Sequence, residues 1–103
     1  MSKSKPPAAD LLGRIEDWYL GECNGDWEHS YGIKIDTLDN PGWLVTIDLA
    51  ETKWKDLELD RTVTQRTDTD WVQIESTKSQ FIGCGGPRNL VEVLERFLKI
   101  VGA

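Results

Sequence analysis

The stretch "YGIKIDTLDNPGWLVTIDLA", residues 31–50, decides the fold. Apolar and polar side chains alternate through 31–38 and again through 42–50, which is the period of a half-buried β-strand. Between them lies "DNPG" at 39–42, which is turn chemistry, because proline restricts φ and glycine accepts conformations closed to other residues. The pattern predicts a β-hairpin with one apolar face.

Weaker strand patterns follow at 56–66, 71–76 and 79–85, and the short turns between them predict a meander of antiparallel neighbours. Helical periodicity is present over 8–22, with Asp10 as the predicted N-cap, and again in the closing segment, where Asn89 and Glu92 fit a capping box. We therefore expect one α+β domain over 10–103. It has an antiparallel meander sheet of about five strands, flanked by an N-terminal and a C-terminal helix packed on one face. Residues 1–9 are predicted to be a flexible tail.

Bulk composition narrows the function classes. The chain has 103 residues, 39% of them apolar, which suits one folded domain. Neither an apolar run long enough to span a membrane nor a secretory signal is evident in the sequence, so a cytoplasmic protein is expected. Cys23 and Cys84 are then expected to be free thiols, and two Cys with a single His do not make a zinc site.

Charge is distributed unevenly along the chain. Residues 16–51 contain nine acidic residues and one base, Lys34, whereas residues 52–103 contain eight of each. This excess of carboxylates argues against a nucleic-acid ligand, because phosphate binding needs clustered Lys and Arg. The excess of acidic residues has two interpretations: a surface that keeps the protein in solution, or a negative electrostatic field that steers a basic partner.

The segment "CNGDWEHSYG", residues 23–32, is the most unusual in composition. We expect Cys23 and Tyr31 to pack inward, leaving Trp27 as an exposed aromatic anchor among charged neighbours. His29 is not accompanied by a serine elbow, a second histidine or a glycine-rich phosphate loop, which argues against a catalytic site. The acidic residues do not follow the spacing of a calcium-binding loop. The sequence therefore predicts a binding protein rather than an enzyme, with no metal or other cofactor.

Two blocks resemble the immunity protein 53 family of bacterial polymorphic toxin systems. They are "WYLGECNGDWEHSYGIKIDTLDNPGWLVTIDL" at 18–49 and "GGPRNLVEVLERFL" at 85–98. The resemblance covers roughly 11–101 and is loose over 51–80. It implies a cytosolic antitoxin that is not an enzyme and that protects its cell by binding the toxin domain of a cognate effector.

The predicted partner is thus a cognate toxin domain with a basic cleft, such as a nuclease, bound by a monomer. The predicted partner-binding residues share an acidic or aromatic side chain or a position in the 23–32 segment: Asp26, Trp27, Glu28, His29, Asp36, Asp39, Asp48 and Trp71. Two alternatives stay open. One is a small ligand-binding or adaptor domain that uses the open sheet face around Trp71 and Lys34, and the other is an enzyme with His29 beside a carboxylate in a deep pocket.

Overall fold

The predicted hairpin is present in the computed structural model, which describes residues 7–103, with side chains from residue 10 onward. The elements follow the order predicted from the sequence, with one added helical turn: α1 (Pro7–Glu22), α2 (Trp27–Ser30), β1 (Ile33–Leu38), β2 (Gly42–Asp48), β3 (Leu59–Gln65), β4 (Trp71–Thr77), β5 (Gln80–Gly85) and α3 (Leu90–Val101). All strand pairs are antiparallel. The α+β class is confirmed.

The strand order is β1-β2-β5-β4-β3, so the prediction of a simple meander is wrong in one pairing. After β2 the chain crosses one end of the sheet through residues 49–58 and starts β3 at the far edge, and β2 pairs with β5 instead. The order has a physical reason. β5 carries buried Phe81 and takes the central position, whereas the charged strands β1 and β3 form the two edges, where charge discourages aggregation.

Glycines let the central strand approach its neighbours. A Cβ at Gly83 would lie 2.5 Å from Cγ1 of Val93, so α3 can pack closely over β5 only because Gly83 has no side chain. A Cβ at Gly42 would collide with the carbonyl oxygen of Gly85. Gly42 was predicted to supply an unusual turn conformation, but its requirement is this close contact between β2 and β5.

The core lies between the sheet and the two long helices, as predicted. α3 packs over β5, β4 and β2, and α1 packs against α3. The rings of Trp18 and Phe97 lie 4.9 Å apart, and that of Phe81 lies 5.2 Å from Phe97. These contacts join both helices to one face of the sheet and leave the other face open.

Both helix starts differ in detail from the prediction. α1 begins at Pro7, so Asp10 lies within the helix rather than at its N-cap. The predicted tail over 1–9 falls outside the described residues at 1–6, whereas 7–9 belong to α1. At α3, Asn89 makes no side-chain capping bond to the helix. Its Nδ2 donates instead to Asp70 and Glu92, which ties the β3–β4 turn to the start of α3.

Candidate interaction surface

The 23–32 segment is built around a buried indole. Trp27 is 2% exposed, and its Nε1 donates to the carbonyl oxygen of Ala50 at 2.9 Å. Its ring contacts those of Trp18, Tyr19 and Tyr31 at centroid distances of 6.1, 6.1 and 6.2 Å. The prediction of Trp27 as an exposed anchor is therefore wrong, because this segment folds back and seals the edge of the core.

Two polar side chains fold the segment in that direction. Oδ1 of Asn24 accepts hydrogen bonds from the N–H groups of Asp26 and Trp27, both at 2.9 Å. The carboxylate of Glu28 reaches back to accept from the N–H groups of Asn24 and Gly25 at 2.9 and 2.8 Å. Gly25 adopts φ of 90°, a conformation that favours glycine. Glu28 thus stabilises the turn that directs the side chain of Trp27 into the core.

These hydrogen bonds predict that the stability of the fold depends on pH through the ionisation of Glu28. The pKa of Glu28 is lowered by hydrogen bonds from backbone N–H groups, first from its own and then from those of Asn24 and Gly25. The neighbouring His29 lowers this pKa further through its charge. Because the folded-state pKa is depressed, this stabilisation is present above the unfolded value of about 4.3 and is lost as pH falls through the folded pKa. Glu28→Gln should therefore lower the thermal midpoint near pH 7, and the difference from the wild type should shrink below about pH 4.

Thermal unfolding followed by circular dichroism from pH 7 to pH 2 measures that difference. Glu58→Gln, which removes one charge from an exposed loop position, controls for net charge. A midpoint difference between Glu28→Gln and the wild type that stays constant across this range contradicts a role for the ionised carboxylate.

Asp48 is also engaged within the fold. Its Oδ2 accepts from the N–H of Gly32 at 3.0 Å, and its Oδ1 accepts from Nε2 of Gln80 at 3.2 Å. The side chain lies on the open face of β2, where it joins the end of the 23–32 segment to β5. Both Asp48 and Glu28 therefore have hydrogen-bond partners within the fold.

The other predicted residues lie at the surface in separate places. Asp26 and His29 are exposed at the end of the sheet where β1 starts, whereas Asp39 is exposed in the turn at the opposite end. Asp36 is exposed on the open face of edge strand β1, and Trp71 is half-buried on the same face of β4. The structure thus does not gather the predicted residues into one cluster.

What the fold does bring together is the negative charge. The nine acidic residues of 16–51 lie on α1, in the 23–32 segment, on β1 and β2, or in the loops that follow these strands. Because the strand order places β1 and β2 at one side of the sheet, these acids occupy one half of the domain. The half formed by β3, β4, β5 and α3, with the turns that join them, holds six acids and six bases over residues 59–103. Separation along the sequence becomes separation in space.

Two grooves lie on the helix side of the sheet, one under each edge strand. One, of about 350 Å³, lies between α1 and the start of β1 and is lined by Ile15, Glu16, Tyr19, Gly32 and Ile33. The other, of about 510 Å³, lies between β3–β4 and α3: Leu59, Asp60, Thr62, Ile74, Arg96, Lys99 and Ile100. They exist because two helices do not cover the full width of five strands. Neither groove is predicted from the sequence.

A sequence signal for the first groove was present. Leu12 and Tyr19 continue the apolar periodicity of α1, yet they are 55% and 40% exposed, and Leu20 beside them is 70% exposed. At positions 12, 19 and 20, together with Glu16, they form a second stripe, displaced from the buried residues Leu11, Ile15 and Trp18. A helix with two apolar stripes has one that the core does not use.

Chemical centres are not apparent in the part of the chain that the structure describes. His29 is exposed and lines neither groove. Within that part, no group of three or more His, Cys, Asp or Glu could hold a metal ion, and no helix is long and apolar enough to cross a membrane. Cys23 and Cys84 are free thiols, as predicted; both are half-buried, and burial raises the pKa of the Cys84 thiol.

By class, the chain is an immunity protein: residues 12–102, nearly its whole length, match a family model of such proteins. It belongs to the immunity protein 53 family. The resemblance predicted from the two blocks at 18–49 and 85–98 is confirmed, and the match includes the loosely similar middle segment. No curated protein and no solved structure matches the chain.

Proposed function

We propose that this protein neutralises the toxin domain of a bacterial polymorphic toxin system by binding it and blocking its active surface. The observation that carries the proposal is the acidic half of the domain, to which residues 16–51 contribute nine carboxylates and one lysine. A toxin with a basic cleft, such as a nuclease, is complementary to this half. Carboxylates would occupy positions where the toxin binds phosphates, and the field would speed the encounter.

The exposed residues Asp26, His29, Asp36 and Asp39 are the proposed direct contacts on this half. Glu28 and Asp48 contribute charge while holding the surface in shape. Trp71, half-buried on the open face, is the proposed aromatic contact in place of Trp27. The mechanism is steric and needs no chemistry from this chain.

The proposed location is the bacterial cytoplasm, where the protein would bind a toxin that is made in the cell or delivered to it. Two free thiols suit a reducing compartment. We propose a monomer that forms a one-to-one complex with its toxin domain.

Growth rescue tests this function. The toxin domain encoded next to this chain's gene is expressed from an inducible promoter, with and without this protein, in a host that lacks both. Restored growth and a one-to-one complex in size-exclusion chromatography are the expected results. An unrelated toxin domain is the specificity control. Growth arrest in the presence of the folded protein, with no complex formed, contradicts the proposal.

A further inference from the structure

The free edge of β1 offers a row of backbone hydrogen-bonding groups. The N–H of Asp48 donates to the carbonyl oxygen of Gly32 at 3.0 Å, and the β1–β2 register places these residues opposite each other. Hydrogen-bonded and non-hydrogen-bonded pairs alternate along an antiparallel ladder. The backbone groups of Ile33, Ile35 and Thr37 therefore point away from β2, out of the edge of the sheet.

An apolar groove lies directly beside this edge. The side chains at 33 and 35 point to the helix side, since they pair in register with buried Ile47 and Val45. Ile33 lines the α1–β1 groove with Ile15 and Tyr19, and Ile35 is 42% exposed. A strand placed along β1 would thus gain main-chain hydrogen bonds at the edge and could bury alternate side chains in the groove.

The opposite edge has similar geometry but different charge. The N–H of Arg66 donates to the carbonyl oxygen of Asp70, and by the same alternation the backbone groups of Val63 on β3 point outward. The groove under β3 is lined by two bases, Arg96 and Lys99, and one acid, Asp60, whereas the charged residue lining the groove under β1 is Glu16, in the acidic half. A basic partner is therefore favoured at β1 over β3.

We propose that the toxin domain docks by adding an extended segment to the β1 edge. The segment carries apolar side chains at alternate positions, which enter the α1–β1 groove, and basic side chains that face Glu16 and Asp36. Main-chain bonds to Ile33, Ile35 and Thr37 supply affinity, and the groove and the carboxylates supply specificity. This inference rests on the proposed function and adds to it the docking edge and the chemistry of the toxin segment.

Proline at the outward-pointing N–H tests the docking mode. Ile35→Pro removes one edge donor without removing a β1–β2 hydrogen bond, and an edge strand tolerates such a proline. Val63→Pro is the matched control on the other edge, since Val63 is also β-branched and is 55% exposed. Titration calorimetry with the toxin domain identified by growth rescue should give about 30-fold weaker binding for Ile35→Pro. Val63→Pro should bind like the wild type.

Two further measurements keep the proposal testable if proline disturbs the fold. Ile35→Lys and Val63→Lys leave the backbone intact, and only the former should weaken binding, because it adds a cation where a basic segment docks. In the wild-type complex, amide hydrogen exchange at Ile35 and Thr37 should slow relative to the free protein. Tight binding by both Ile35 variants, or unchanged exchange at these amides, overturns edge docking while the toxin-binding function stands. A wild-type protein that binds no toxin domain overturns both.

Discussion

Trp27→Ala is expected to lower the free energy of unfolding by about 3–5 kcal/mol, the range for removing a buried aromatic side chain. The indole lies among the rings of Trp18, Tyr19 and Tyr31, and its loss leaves a cavity that these rigid rings cannot fill. It also leaves the carbonyl oxygen of Ala50 without its donor. Because small domains have stabilities of about 5–15 kcal/mol, a large part of the total is at risk.

Urea unfolding followed by tryptophan fluorescence and circular dichroism measures this change. His29→Ala, two positions away and exposed, is the matched control and should stay within about 0.5 kcal/mol of the wild type. Trp27→Phe separates the two contributions, since it keeps an aromatic ring but removes the hydrogen bond to Ala50. If Trp27→Ala were as stable as the wild type and bound toxin more weakly, the exposed-anchor interpretation would be restored.

The second large effect concerns the rate of association with the toxin domain. The triple variant Asp26→Asn, Asp36→Asn and Asp39→Asn removes three exposed charges from the acidic half without touching a carboxylate for which the fold shows a partner. It should slow association about 10- to 100-fold at low ionic strength, because long-range attraction sets that rate. Stopped-flow measurements at increasing salt should show the difference shrinking as the field is screened.

A control variant with the same change in net charge tests whether the position of the removed charges matters. Asp56→Asn, Asp60→Asn and Asp68→Asn neutralise three exposed carboxylates in β3 and its flanking loops, in the other half of the domain. At about 0.1 M salt, where the Debye length is about 10 Å, this control variant should associate within about threefold of the wild type, since β3 is the sheet edge opposite β1. Equal slowing by both triple variants would mean that net charge, rather than its placement, governs the encounter.

The unusual composition of the 23–32 segment has a mostly structural explanation. Its aromatic residue completes the core, and Asn24 and Glu28 supply the hydrogen bonds that a tight turn needs. Polar and aromatic residues in a loop suggest a binding site, yet the same residues are what a loop needs to satisfy its own backbone and to cover a core edge. Of its four predicted contact residues, Asp26 and His29 are the exposed ones.

Local periodicity explains why the hairpin and the C-terminal helix are predicted correctly from the sequence. Alternation over 31–50 predicted β1, the turn and β2 to within two residues, and the stripe in 90–101 predicted α3, because each pattern is set by neighbours along the chain. The α1–β1 groove was missed because helical periodicity identifies apolar residues without telling which stripe finds a partner. Leu12 and Tyr19 look like core residues until the width of the sheet is known.

The amino-acid sequence by itself determined the two long helices and the five strands, the α+β class, the membership of the immunity protein 53 family and the concentration of carboxylates in residues 16–51. These are properties of short patterns, or of charge counted along the chain. Only the tertiary structure decided that β2 pairs with β5, that Trp27 is buried and that β1 presents a free edge beside a groove. Each depends on contacts between residues distant in sequence, and the packing of the whole domain selects among the arrangements that local patterns allow.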